Sequence, residues 1–456
     1  MDKVREECGV FGYFSTDNNA ASSIYYGLHA LQHRGQESAG IVVCDTKGPL
    51  GNIYSHKGMG LVSEIFHPEI LNSLKGNIGI GHVRYSTTGQ SSIENAQPIF
   101  LNYLKGTLAL AHNGNIMNAH ELRESLQAQG AVFSGTTDSE VIAYKIALQR
   151  KEKSESIQDA ILEVAKELKG GYALLLLSPQ KLIGVRDPFG LKPLCLGKKG
   201  EDYILSSESA AIDALGGEFI RDIEPGEIIV ISKFGIESKI CLKAQRQAHC
   251  IFEYIYFAKL DSTMDGIPIY DARIRGGKAL AKRYPVDADV VTGVPESGIT
   301  SAVGYAEESG IPFKLAFSKN SYVGRTFIKP SQEERMSAVQ LKLNVLSSVV
   351  KNKRVVLIDD SIVRGTTIRN LISMMRKAGA KEVHVRISSP PFLYPCYYGT
   401  DVPDNSQLIA TKLSTHEICE TIGADSLEYM HLDDLKEMTL DLPLCQACFD
   451  SKYPVK

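Results

Sequence analysis

The stretch Val355–Thr367, VVLIDDSIVRGTT, constrains the fold of this chain more than any other. Val355, Val356, Leu357 and Ile358 leave no polar face, so they read as a strand covered on both sides, as in a parallel sheet. Asp359 and Asp360 end that strand. The loop Ser361–Thr367 then feeds a helix in which Ile368, Leu371, Ile372 and Met375 recur at i, i+3, i+4 and i+7, with Gly379 placed to cap its end. A loop entering a helix offers free N–H groups and the positive end of the dipole, which suits a phosphate. Ser361, Thr366 and Thr367 add hydroxyl donors, and Gly365 lets the backbone come close. The two carboxylates can meet ribose hydroxyls or Mg²⁺. On residue chemistry alone, an ordinary strand–loop–helix with acids at a solvated strand end is an equal reading.

At 456 residues the chain is expected to form two or three domains. Its net charge of −3 argues against a nucleic-acid binder. No apolar run approaches the roughly 20 residues that span a bilayer, and the N-terminus MDKVREE has no apolar core, so a cytoplasmic protein is expected. Nine cysteines spread through a long chain read as thiols or metal ligands rather than a disulfide framework.

In the first half, Cys8 lies in EECGVFGYF, where a small buried residue at a strand start is the plain reading. Further on come LQHRGQESAG (Leu31–Gly40) before the strand Ile41–Cys44, and GHVRYSTTG (Gly81–Gly89) with the cation Arg84. AHNGN (Ala111–Asn115) ends an apolar run, and TTDSE (Thr136–Glu140) opens a periodic helix. Alternation predicts antiparallel strands at Ile78–Val83, Leu108–Ala111 and Ala173–Leu177, and helices near Thr137–Lys151 and Ile157–Leu168. A polar, basic stretch near Ile236–Ala248 reads as a linker. In the second half, the strand Asp289–Thr292 leads through GVPESG (Gly293–Gly298) into a helix. Lys319–Lys342 is a polar segment with spaced cations, and the terminal Cys445–Cys448 is a CxxC. Spacing allows zinc or iron–sulfur equally there, and plain buried thiols as well.

Taken in order, the first-half segments, with RDPFGLKPL (Arg186–Leu194), resemble the glutaminase domain of N-terminal-nucleophile amidotransferases, from Cys8 to Glu237. Val355–Thr367 resembles the signature of phosphoribosyltransferases that use phosphoribosyl pyrophosphate (PRPP); Gly293–Gly298 is similar to their pyrophosphate loop and Lys319–Lys329 to their mobile lid. The fold so implied is an α+β N-terminal-nucleophile (αββα) glutaminase domain over residues 8–237, followed by an α/β type I phosphoribosyltransferase domain with a parallel sheet over 238–456.

That resemblance implies roles. Cys8 is the nucleophile, with Asn113 and Gly114 as the oxyanion hole. Arg84, Thr87 and Asp138 bind glutamine. Ser297, Lys319, Arg325, Asp359, Asp360, Ser361, Arg364, Gly365, Thr366 and Thr367 bind PRPP, with Mg²⁺ near Ser297, Asp359 and Asp360. Cys250, Cys396, Cys445 and Cys448 match the ligands of a [4Fe–4S] cluster in an iron–sulfur branch, while Cys241 and Cys419 are left over; Cys44 and Cys195 read as core. The family's base is the nucleophile's own α-amine, so residues 1–7 are expected to be a leader removed by self-cleavage. The implied reaction hydrolyses glutamine and delivers ammonia to C1 of PRPP, giving 5-phosphoribosylamine and pyrophosphate, the first committed step of purine synthesis. Feedback by purine nucleotides and a homotetramer are implied as well, with no nucleic-acid or membrane partner.

Two rivals share parts of the pattern. One is another enzyme with this glutaminase half, such as a sugar-phosphate aminotransferase or an asparagine synthetase; Val355–Thr367 argues against it. The other is a non-catalytic regulator that binds PRPP or nucleotides; the filled glutaminase positions argue against that.

Overall fold

Two antiparallel sheets stack face to face in the first half. The computed structural model describes residues 8–17, 19–46, 51–85, 91–320, 343–402 and 405–455. One sheet has seven strands, with Gly9–Phe14 between Ile78–Arg84 and Asp202–Ser206. The other has six, with Gly106–Ile116 paired to Gly170–Ser178. Val10, Val42, Ile80, Ala109, Leu175 and Leu205 fill the space between them. Helix Ala20–Ala30 covers the outer face of the first sheet. Helices Asp138–Glu152 and Ile157–Glu167 cover the outer face of the second. Their starts are set locally: Thr137 Oγ1 accepts the Glu140 N–H and Ser156 Oγ the Asp159 N–H. The four expected layers, α, β, β and α, are present. Strand Gly170–Ser178 is apolar at almost every position because a sheet lies on one face and helices on the other.

The expected linker near Ile236 begins later. Residues Gly235–Ile240 form the edge strand of the six-stranded sheet, paired to Glu227–Ser232. An edge strand exposes one flank and one face to water, so its polar residues mimic a linker.

The second half holds a parallel sheet in the order Val290–Gly293, Arg354–Asp359, Glu382–Ile387, Ser426–Tyr429. Val356 and Ile358 face a core with helices Ile269–Arg283 and Ser297–Ser309. Val355 and Leu357 face Ile368, Leu371, Ile372 and Met375 of helix Thr366–Lys377 on the other side. Both faces are dry, which explains the unbroken aliphatic run. Gly379 sits just past that helix with φ +95°, a left-handed cap. No helix among the described residues is long and apolar enough to cross a membrane.

A buried ionic knot joins the halves. Arg186 grips both carboxylate oxygens of Asp265 at 2.7 and 2.9 Å, and His249 Nδ1 lies 2.8 Å from Asp265.

Candidate active sites

Cys8 is buried immediately before the strand Gly9–Phe14, and its thiol donates to the Tyr85 carbonyl at 3.4 Å. Pairing of that strand with Ile78–Arg84 (Gly9 opposite Val83) brings Arg84 to the same end of the sheet. Arg84 is buried and bonded to Glu37 at 2.5 Å. Across the sheet interface, His82 Nε2 lies 3.0 Å from the His112 carbonyl, so the His112–Gly114 stretch of strand Gly106–Ile116 meets this end of the first sheet. Burial pulls the His82 pKa down to about 3, so the ring is neutral at physiological pH.

Asn113 has no solvent exposure, yet neither its Oδ1 nor its Nδ2 has a hydrogen-bond partner among the described residues. Buried side-chain amides are rarely left so. Gly114 has φ +139°, and a Cβ there would lie 2.0 Å from the Gly171 carbonyl oxygen, so only glycine fits. Asp138 is buried and accepts the Ile116 N–H at 2.9 Å. Burial raises its pKa, but nearby His112 and the Ile116 and Ser139 N–H groups outweigh that and hold the carboxyl below its ordinary range. Thus Cys8, Arg84, Asn113, Gly114 and Asp138 are linked through two sheets and one helix start. Thr87 lies outside the described residues.

At the second site, Asp359 lines a small cavity with Ser361, Ile362, Val363, Gly365 and Thr367 at the start of helix Thr366–Lys377. Gly365 has φ +82°. The alternative of acids at a solvated strand end does not hold: both are buried. The start of helix Ser297–Ser309 lies across that end, so close that a Cβ on Gly298 would stand 2.3 Å from the Ile358 carbonyl oxygen. Asp360 accepts from both Ser297 and Ser361. Arg364 is exposed, bonds Gln407 and does not line the cavity. Lys319 pairs with Glu296 at the surface, 2.7 Å apart. Arg325 lies outside the described residues.

A larger cavity, about 580 Å³, runs from His33 past Tyr256, Lys259 and Arg273 to Glu296, Ser297 and Lys319. Arg273 is buried and donates to the Tyr254, Tyr256 and Ala258 carbonyls. Burial lowers its pKa to about 10, against the opposing pull of Asp360. Next to His33, Arg34 is fully buried. It donates to the Cys8 carbonyl at 3.1 Å, to Glu208 at 2.6 Å and to Glu253 at 2.6 and 3.0 Å. The sequence reading assigned no role to His33, Arg34, Glu208, Glu253 or Arg273, because nothing in a sequence marks which charges are buried against one another.

All nine cysteines are thiols. Cys250, Cys396, Cys445 and Cys448 line one cavity with Leu191, Lys192 and Tyr398. A short parallel pairing sets Cys250 beside Cys445. Burial and the three neighbouring thiols push the Cys448 pKa well above its ordinary value. Leu191 and Lys192 belong to the RDPFGLKPL segment, which therefore forms the first domain's wall of this cavity. Among the described residues, no three His, Cys, Asp or Glu side chains form a group that would hold one metal ion. Cys419 and Cys241 lie apart, Cys419 bonded to the Ala424 carbonyl.

Comparison with known proteins agrees with both halves. A glutamine amidotransferase domain matches residues 82–214, and a phosphoribosyl transferase domain matches residues 269–388. The amidophosphoribosyltransferase of Methanocaldococcus jannaschii is 49% identical, covering 98% of each chain. That of Bacillus subtilis is 45% identical, covering 99% of this chain and 95% of the relative. The chain belongs to the amidophosphoribosyltransferase family. A solved structure of the B. subtilis glutamine PRPP amidotransferase complexed with ADP and GMP superposes with a TM-score of 0.91 at 45% identity, over 98% of each chain. The activity is that of an amidophosphoribosyltransferase, glutamine-dependent amination of PRPP at the start of purine biosynthesis.

Glu208 gives a pH test of the bridge between the two sites. Burial raises its pKa, but His33 and Arg34 pull it far below the ordinary carboxylate range of about 4.3. A depressed carboxyl contributes stability that is complete above its unfolded pKa and is lost as pH falls through its folded one. Glu208→Gln is therefore expected to lower the thermal midpoint clearly at pH 7. The gap to the unaltered protein should narrow as pH drops below about 4, read by scanning calorimetry.

Proposed function

We propose that the family reaction runs in this chain on the residues named above. The observation that carries this reading is Asn113: a fully buried amide with both polar atoms unpartnered, at the end of the sheets where Cys8 and Arg84 meet. Removal of residues 1–7 frees the Cys8 α-amine, whose pKa near 8 suits a base at neutral pH. It takes the thiol proton as sulfur attacks the glutamine side-chain carbon. Arg84 holds the substrate carboxylate, with Thr87 beside it, and Asp138 the ammonium. The oxyanion accepts from Asn113 Nδ2 and the Gly114 N–H. Collapse returns the proton to the leaving nitrogen and gives ammonia and a thioester, which water hydrolyses to glutamate.

Ammonia then attacks C1 of PRPP, breaking the C1–O bond and releasing pyrophosphate. The loop Ser361–Thr367 and its helix start hold the 5-phosphate. Ser297, Lys319, Arg325 and Arg364 serve the diphosphate, and the ribose hydroxyls take over the Ser297 and Ser361 contacts of Asp360. Asp359, Asp360 and Ser297 are hard oxygen donors that fit Mg²⁺, which would neutralise diphosphate charge when bound. The cavity from His33 to Ser297 supports an internal route for ammonia. ADP and GMP in the B. subtilis structure support purine nucleotides as feedback inhibitors.

The four cavity-lining cysteines fit a [4Fe–4S] cluster better than zinc. Sulfurs around one zinc sit 2.3 Å from it and crowd to roughly 4 Å apart, whereas each cluster thiolate binds its own iron and stands farther away. Four thiols around one cavity, a set of soft sulfur donors, support that reading. When bound, the cluster acts as a covalent staple between residues 250, 396 and the C-terminus.

Two outcomes are expected. Cys8→Ala abolishes glutamine-dependent turnover and preserves turnover with added ammonia; loss of both would defeat the division of labour. Anaerobically purified protein carries close to four irons per chain with visible absorbance, and Cys448→Ser loses both; zinc in equal molar amount would replace the cluster reading.

A further inference from the structure

The loop that carries Cys396 continues across the domain boundary and comes to rest on the strand that carries Asn113 and Gly114. The Tyr397 carbonyl accepts the Asn115 Nδ2–H at 2.8 Å. Gly399, with φ +108°, lies against the next peptide. A Cβ there would stand 3.0 Å from the Gly114 carbonyl carbon, 3.1 Å from its Cα and 3.3 Å from the Asn115 nitrogen. Gly114 therefore touches backbone from both halves, Gly171 of its own sheet and Gly399 of the second domain. The loop is itself braced. Tyr398 OH donates to the Val455 carbonyl at 2.9 Å, and Tyr453 OH donates to the Pro395 carbonyl at 2.7 Å. The Tyr397 and Tyr453 rings pack with centroids 5.0 Å apart.

We propose that Tyr397–Gly399 is a positioning element for the glutaminase: Gly399 fixes Gly114, and through it the N–H that receives the oxyanion, while the Tyr397 carbonyl anchors Asn115. This rests on reading Asn113 and Gly114 as the oxyanion hole. Such donors act only if held in place before charge develops, and a displacement of about 1 Å costs on the order of 100-fold in rate. The atoms nearest a Cβ at Gly399 are Gly114 and Asn115 backbone, so its role is to position the hole rather than to bind glutamine. A segment of the ammonia-consuming domain thereby shapes the site that makes ammonia.

The test uses the full-length holoenzyme. Gly399→Ala adds a methyl at a left-handed φ against the Gly114 backbone. It is expected to lower kcat with glutamine by about 10- to 100-fold, leave KM for glutamine within about threefold because Arg84 and Asp138 are untouched, and leave ammonia-dependent kcat and visible absorbance unchanged. Asn115→Ala removes the bond to Tyr397 and is expected to give the same pattern at about 3- to 10-fold; it carries the test alone if Gly399→Ala does not fold. Unchanged glutamine kcat in both variants, or a parallel fall in the ammonia-dependent rate, overturns the positioning role. Asn113→Ala separates the two layers of argument. If it keeps its glutamine kcat, the oxyanion reading itself fails. If it loses about 100-fold or more while the other two lose nothing, only the positioning role fails.

Discussion

The structure depends on one buried guanidinium. The Arg34 side chain has no solvent exposure, and an unpaired charge there would cost several kcal/mol. It is satisfied from three directions: the Cys8 carbonyl, Glu208 beside helix Ser209–Ala214, and Glu253 from the second half of the chain. Separating the halves would take away Glu253 and leave only Glu208 and the Cys8 carbonyl, so one side chain ties the domain interface to the start of the Cys8 strand. Glu208 spreads the network further, accepting the Lys259 N–H and the Ser262 hydroxyl from the second half.

Around this link, the two chemistries occupy similar positions in their folds. The glutaminase residues gather where two sheets meet at their ends, with Cys8 entering one strand and Asn113 near the end of another. The phosphate loop gathers at the carboxyl ends of parallel strands, where helix starts converge. Each site is thus built from loops held by rigid elements, and the cavity from His33 to Ser297 lies between them. The RDPFGLKPL segment serves the same junction twice, with Arg186 bound to Asp265 and Leu191 and Lys192 walling the cysteine cavity.

Much of this was legible because hydrophobic period and turn chemistry are local. Val355–Ile358 reads as a buried strand since both faces are dry, and Thr137–Lys151 reads as a helix from its Thr137 start, although the face it buries is Ile142, Ala143 and Ile146. The four cysteines, distant in sequence, line one cavity as the resemblance implied. The illegible parts are those that need a partner. Ile236–Ile240 looks like a linker because an edge strand shows its polar side to water. Asp359 and Asp360 look solvated until the start of helix Ser297–Ser309 is laid across them. The roles of Glu253 and Gly399 exist only through residues more than two hundred positions away, and Arg34 bonds partners 26, 174 and 219 positions from it.

The central claim is that an exposed α-amine on Cys8 makes its own sulfur nucleophilic. Intact-mass measurement of fully active enzyme, combined with N-terminal sequencing, tests it most directly. The account predicts a chain that begins at Cys8, lighter by the mass of residues 1–7. Active glutaminase that still carries those seven residues would contradict it.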